Sequence, residues 1–432
     1  MTEGVPGEDP AGFGPTGGAG APIPPPAALD GRQPFWSAFR NPQYRIFWVG
    51  ALVSNVGAWM QNVAQGWLVL ELTDSAFMLG LVGFAGSLPW LVLLLVGGVY
   101  ADRLDRRRLL IRANVGMMAF AAVLTALTWT GVVRIWHVFV LSLASGSAIA
   151  LAAPAFQAFL HDLVDRRDLQ NAIAMNSAQF NLSRIVGPSI AGLTLGAIGL
   201  AGCFGVNTLS YLGAIVALML IRGRSRPMPN SAPVWQSIVE GVGYVRGRPR
   251  ITALLTIAAL ISLLAMPYST LLPIVARDTL GLDAPGLGWL FAIGGVGAVC
   301  GALSVAFRHA LPRRGPWLLG CAISTGLATL ALGLSRSPLA AGGSLVAIGF
   351  FATSAVALSN TLLQELVDDA MRGRVLSMFG LAFMGTFPLA NLLAGALAGL
   401  TSASTTLAVT GAALAVIVAG IALTRPRLRA LE

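Results

Sequence analysis

The chain has 432 residues, of which 56% are hydrophobic and only 11% charged, and its mean hydropathy is +0.75. Soluble globular chains carry about 25% charged residues, so this composition excludes an ordinary water-soluble enzyme or binding domain. The net charge of +10 does not indicate a nucleic-acid partner, because the basic residues sit in short connectors between apolar runs and not on one polar face.

All 28 basic residues are Arg, a bias that fits a GC-rich bacterial genome. Cys203, Cys300 and Cys321 fall in separate apolar runs, too dispersed for a disulfide framework or a zinc site, and read as small packing residues. His137, His161 and His309 sit at the ends of apolar runs. No nucleophilic triad, phosphate loop or metal-ligand spacing is present, so neither an enzyme, a cofactor nor a metal is expected.

In chain order, residues 1–33 are rich in Gly, Pro and Ala and lack the basic and apolar regions of a signal peptide; a disordered cytoplasmic tail is expected. Apolar runs of about 20 residues, enough to cross a bilayer as helix, then begin near Arg45, Phe77, Leu109, Trp136, Gln170 and Cys203. Six more begin near Ile251, Leu287, Trp317, Leu339, Val375 and Thr405. The expected organisation is a six-helix bundle at 34–222, a basic cytoplasmic loop at 223–250, a second six-helix bundle at 251–425 and a cytoplasmic tail at 426–432. Short cytoplasmic connectors carry the excess of Arg. With both termini inside, 24 arginines are cytoplasmic, while Arg134, Arg277 and Arg336 lie outside and Arg184 falls within a span.

The two halves resemble each other. Leu163-Val164-Asp165 recurs as Leu366-Val367-Asp368, and Asp162 matches Glu365. Ala191-Gly192 and Gly196 match Ala394-Gly395 and Gly399. Leu79-Gly80 and Arg106-Arg107 answer to Leu287-Gly288 and Arg313-Arg314 at a slightly larger offset. An ordered series in equivalent connectors and spans indicates an internal duplication, a hallmark of transporters.

The connector after the second span reads Gly98-Val99-Tyr100-Ala101-Asp102-Arg103-Leu104-Asp105-Arg106-Arg107-Arg108. It resembles the signature of the major facilitator superfamily, which is Gly, three residues, Asp-Arg, one residue, then Gly-Arg-Arg/Lys. Asp105 stands where the family has its second Gly. The resemblance implies that Gly98, Asp102, Arg103, Arg106 and Arg107 form a cytoplasmic latch between the halves; a plain positive-inside anchor is the alternative. The second-half copy around Arg308 to Arg314 keeps the arginines but has no Asp, so only the first latch is expected to be strong. Asp162, Glu365, Arg372 and Arg374 are further gate candidates. In the fifth span Arg184-Ile185-Val186-Gly187-Pro188-Ser189-Ile190-Ala191-Gly192 resembles the Gly-Pro signature of the superfamily's exporters. There Gly187, Pro188 and Gly192 would bend the helix or admit close packing.

With the first span and Arg372-Gly373-Arg374-Val375, the chain is most similar to the branch holding enterobactin exporters and macrolide-type drug exporters, over roughly residues 35–425. The resemblance implies an all-α integral membrane protein of two pseudo-symmetric six-helix bundles in the bacterial inner membrane. It also implies efflux of a siderophore or drug-like molecule by alternating access, with proton exchange as the energy source. An importer or facilitator is the nearest competitor, and a non-transporting sensor on the same fold is a more distant one. The partners expected are a small-molecule substrate and the lipid bilayer, with a functional monomer.

Polar residues inside a bilayer face the bundle interior or water. On the first span Asn55, Trp59, Asn62 and Gly66 recur at helical spacing with Gln61 and Gln65 on the same arc. Asn55, Trp59, Asn62 and Gln65 are therefore substrate-contact candidates, with Arg184 from the fifth span and Tyr268 from the seventh. Interhelical hydrogen bonding is the alternative, above all for Asn207 and Asn391. Arg184 is the one ionisable residue near the middle of any span, and no Asp or Glu lies at comparable depth. Either amides, carbonyls and water hold it, or it awaits an anionic or phenolate-bearing substrate. The missing central acid weakens the case for proton exchange, for which Glu71, Asp278 and Glu365 are the remaining candidates, none of them well placed.

Overall fold

The structure, a computed structural model, describes residues 36–165, 167–221, 240, 242–307 and 313–424. The side chains of residues 94–99, 101–103, 369 and 370 lie outside the described set, as do the tails expected at 1–33 and 426–432 and most of the basic loop.

Every regular element described is helical. The first span, α1, is Pro42–Thr73; Asn41 caps it by accepting from the backbone N–H groups of Gln43 at 2.9 Å and Tyr44 at 3.4 Å, with Pro42 at the first helical position. Asp74 ends it in the left-handed conformation with φ 47°. Ser75 then caps α2, Ala76–Arg103. Asp105, the residue that replaces the family glycine, turns out to be the N-cap of α3, Arg106–Trp129, where its carboxylate accepts from Arg108 N–H at 2.9 Å. Next comes α4, Ile135–Leu163.

One helical stretch, Leu169–Leu220, has 52 residues, about 78 Å at 1.5 Å per residue and enough to cross twice. Gly199, with φ 68° and ψ −171°, breaks it. The two parts are α5 (169–198) and α6 (200–220). The seventh span, α7, is Pro249–Thr279, interrupted after Leu264 and resuming at Tyr268. The remaining spans are α8 (Ala284–Phe307), α9 (Arg314–Leu334), α10 (Pro338–Leu366), α11 (Met371–Leu400, broken at Gly385-Thr386) and α12 (Ala403–Thr424).

Among the described residues ten helices are long and apolar enough to cross a membrane. The helix broken at Gly199 counts twice, and α1 is absent from that set because of its polar arc; adding both gives the twelve spans expected.

The core shows how the halves meet. At the end of the bundle poor in arginine, one apolar cluster draws residues from all twelve spans, including Met60, Leu79, Leu195, Leu271, Leu287 and Leu407. At the arginine-rich end there are two separate clusters. One holds Tyr44, Phe47, Phe159 and Leu218 of the first half; the other holds Ile251, Leu319, Leu362 and Val418 of the second. The halves are thus sealed at one end and parted at the other.

Two glycine contacts make the seal. A Cβ on Gly80 of α2 would lie 2.6 Å from the Cα of Gly395 on α11, and one on Gly288 of α8 would lie 2.9 Å from the Cα of Gly192 on α5. Small residues let helix backbones approach in this way. The residues matched by the internal repeat are Gly80 with Gly288 and Gly192 with Gly395. Each therefore packs against the counterpart of the other.

Candidate functional site

Close packing positions the centre of the first half. A Cβ on Gly187 of α5 would lie 2.5 Å from the Cβ of Trp59 on α1, so the two helices touch there. Residues 187, 188 and 192 keep helical dihedrals, and the helix break falls at Gly199. Gly187 and Gly192 both lie at close helix contacts, with Trp59 and with Gly288 respectively.

Arg184, just short of one turn before Gly187, is carried over Trp59. Its guanidinium carbon lies 5.9 Å from the indole centroid, and its Nη2 donates to the Tyr268 hydroxyl at 3.3 Å. Tyr268 is 4% exposed and opens the second part of α7 after the interruption. Phe180 stands edge-on to Trp59 at 6.0 Å between centroids. Trp59, Arg184 and Tyr268 therefore come together at the junction of α1, α5 and α7, with α8 behind them through Gly295. Among the described residues no carboxylate pairs with Arg184; a phenol and an indole face are its neighbours.

Three cavities surround this junction. The first, about 440 Å³, lies between the halves on the sealed side and is lined by Trp59, Asn62, Gln65, Trp90, Ser269 and Asn391 among others. Asn62 is exposed on its wall, and Gln65 donates to the Ser142 hydroxyl at 3.1 Å. The second, about 430 Å³, is walled by Arg184, Met266, Thr353, Asn360 and Phe383, which belong to α5, α7, α10 and α11. The third, about 480 Å³ within the first half, holds Asn55, Asn176 and Gln179 and shares Ala58, Trp90, Ile149 and Tyr211 with the first.

Thus the α1 arc is polar but divided. Asn55 donates to Gln179 on α5 at 3.4 Å, and Gln61 accepts from Asn207 on α6 at 2.6 Å. Asn391 accepts from Thr270 at 2.8 Å and donates to Ser87 at 3.5 Å, which links α11 to α7 and to α2 of the other half. Sequence reasoning overlooked Trp90, Ser142, Thr270 and Thr353. Ser142 also bonds its own helix, to the carbonyl of Val138 at 2.6 Å, and a hydroxyl that does so leaves no mark in the sequence pattern.

At the arginine-rich end Arg106 clasps both oxygens of Asp162 at 3.0 Å, joining α3 to α4. Arg314 clasps Glu365 at 2.5 and 2.8 Å, joining α9 to α10. The repeat register is thereby refined, because Arg106 and Arg314 are both first residues of their helices. Arg107 donates to the carbonyls of Leu218 at 2.6 Å and Met219 at 2.7 Å at the end of α6. Arg374 pairs with Glu240 at 2.6 Å, while Arg372 is exposed nearby. Gly98, Asp102 and Arg103 have side-chain surroundings outside the described set.

The inter-half ion pair that is described lies at the opposite end. Arg277 of α7 bonds Asp74, the cap of α1, and its neighbour Asp278 at 2.6 Å.

Residues 33–432 match the sequence profile of the transmembrane secretion effector family of major facilitators. The chain belongs to that family. This secretion-effector chain is 29% identical to the multidrug efflux pump Tap of Mycolicibacterium fortuitum over 360 residues, 81% of this chain and 87% of the pump. It is 27% identical to the enterobactin exporter EntS of Shigella flexneri over 338 residues, 78% of this chain and 80% of that one. A bacterial homologue of the human lysosomal transporter Spinster, crystallised inward-facing and unoccupied, shares the fold. Its TM-score is 0.71 at 13% identity, with 92% of this chain and 98% of that one covered. The chain is a membrane transporter and not an enzyme.

Proposed function

We propose that this transporter exports a small molecule from the bacterial cytoplasm by rocking its two halves about the Trp59–Arg184–Tyr268 junction. The observation that carries this reading is the uneven core, with one cluster through twelve spans at one end and two unjoined clusters at the other. A bundle sealed at one end around a partly polar cavity is one of the two states that alternating access requires. The arginine count supports a cytoplasmic parted end and cytoplasmic termini. This state loads substrate from inside.

Trp59, Asn62 and Gln65 contact substrate in the inter-half cavity, Asn55 beside it, and Arg184, bonded to Tyr268, in the neighbouring cavity between α5, α7, α10 and α11. The drug and siderophore exporters among the relatives support the outward direction and the substrate size.

The test is a deletion strain and its complement, challenged with a panel of antibiotics and iron chelators. At least one compound should be more toxic to the deletion strain and accumulate in it several-fold. Uptake lost upon deletion would instead assign import.

A further inference from the structure

The charge inventory of the pathway is unusual for a pump that exchanges protons. The 18 acidic residues fall in the tails, the connectors or the end turns of spans, and the three histidines are equally peripheral. Glu71 is spent on the Trp67 indole at 2.8 Å near the end of α1. Asp162 and Glu365 are held by arginines, and Asp74 and Asp278 by Arg277.

What remains at mid-depth is Arg184. The groups that face it are Trp59 from α1, Tyr268 and Met266 from α7, Gly295 from α8, Thr353 and Asn360 from α10 and Phe383 from α11. None of these is an acid. A guanidinium offers five donors in a fixed fork that matches carboxylate, sulfonate or phenolate oxygens. One of its bonds is to the neutral hydroxyl of Tyr268, and a cavity of about 430 Å³ opens on it.

A cation with no carboxylate partner among the described residues, held beside an indole, a phenol and Phe383, is complementary to an aromatic anion. It repels a cation, and among the described residues no acid lines the cavity to compensate one.

From this, and resting on the export reading above, we propose that Arg184 with Tyr268 and Trp59 selects aromatic substrates of net negative charge. Their export is driven by the membrane potential, with no proton returned in exchange. The charge balance is simple. A guanidinium is a fixed charge in proteins, and it returns with the protein, so each cycle moves only the charge of the substrate. A cytoplasm negative by 100 mV then expels a monoanion to about a 50-fold gradient.

The test uses the full-length chain in liposomes with two fluorescent probes whose charge is fixed, the aromatic disulfonate lucifer yellow and the aromatic cation ethidium. A potassium diffusion potential set with valinomycin at equal pH should move lucifer yellow toward the positive side, well above protein-free liposomes. A pH gradient with the potential clamped at zero should move neither dye. Arg184→Gln should lose at least tenfold of the lucifer yellow rate, and Arg184→Lys, which keeps the charge without the fork, should retain an intermediate rate. An unchanged gel-filtration profile and melting temperature guard against misfolding.

Three results overturn the proposal in distinguishable ways. Ethidium moving while lucifer yellow does not removes the anion assignment and leaves export standing. Lucifer yellow driven by the pH gradient alone removes the energy source. Movement of neither dye removes the aromatic-anion assignment, and the deletion-strain panel then decides export by itself.

Discussion

Arg106 shows how a connector charge becomes a structural part. Its side chain is 8% exposed and its partner Asp162 31%, so the pair is largely withdrawn from water at the mouth of the parted end. Removing one member of a buried pair costs about 3–5 kcal/mol in full burial. Partial exposure of Asp162 reduces this to about 1–3 kcal/mol. Arg106→Gln should therefore lower the melting temperature in detergent by several degrees, and an unchanged temperature would place the support of α3 and α4 elsewhere. That the arginines of this connector carry weight was legible, because the signature and its repeat both occur in the sequence. Their partners were only half legible. Asp162 and Glu365 stand out as repeated acids, whereas Arg107 bonds two backbone carbonyls of α6, and carbonyls have no sequence signal.

Among the elements, the 52-residue helical run is the one whose sequence says least about where it turns. Gly196, Gly199, Gly202 and Gly205 are evenly spaced through an apolar stretch, and only φ distinguishes the third-from-last of them. Gly199 adopts φ 68° and ψ −171°, a region that is essentially glycine-only and costs about 1–3 kcal/mol for other residues. Gly199→Ala should lower the yield of folded protein and the melting temperature, whereas Gly205→Ala, at a helical position where an added Cβ meets only Thr125 at 3.6 Å, should change neither. If both behave alike, the strain at Gly199 is not what sets the hairpin. The polar arc of α1 was legible for the opposite reason, since amides inside a 20-residue apolar run are conspicuous. Which helix each amide would reach was not, because Gln61, Gln65 and Asn55 turn to α6, α4 and α5 respectively. Trp59, Arg184 and Tyr268 were each conspicuous alone, and their meeting depends on Gly187, which permits the contact between α1 and α5.

For the whole molecule, the pair formed by Asp74 and Arg277 joins residues separated by 203 positions, a relation no local pattern encodes. It spans the halves at the sealed end, so any opening toward that side must break it. In the double variant D74C/R277C, an oxidant should cross-link the two positions and stop transport, and a reductant should restore it. Transport that continues through the cross-link would mean that this end does not open.

The glycine seam carries a different lesson. Because α2 of each half meets the fifth span of the other through Gly80 with Gly395 and Gly288 with Gly192, one six-span half already bears both members of its own interface. Two copies placed side by side about a two-fold axis would satisfy both contacts at once, as isologous dimers do. Fusing two such copies into one polypeptide would require no new surface. A mid-span arginine in one half alone, Arg184, is compatible with such a seam because it lies outside both glycine contacts.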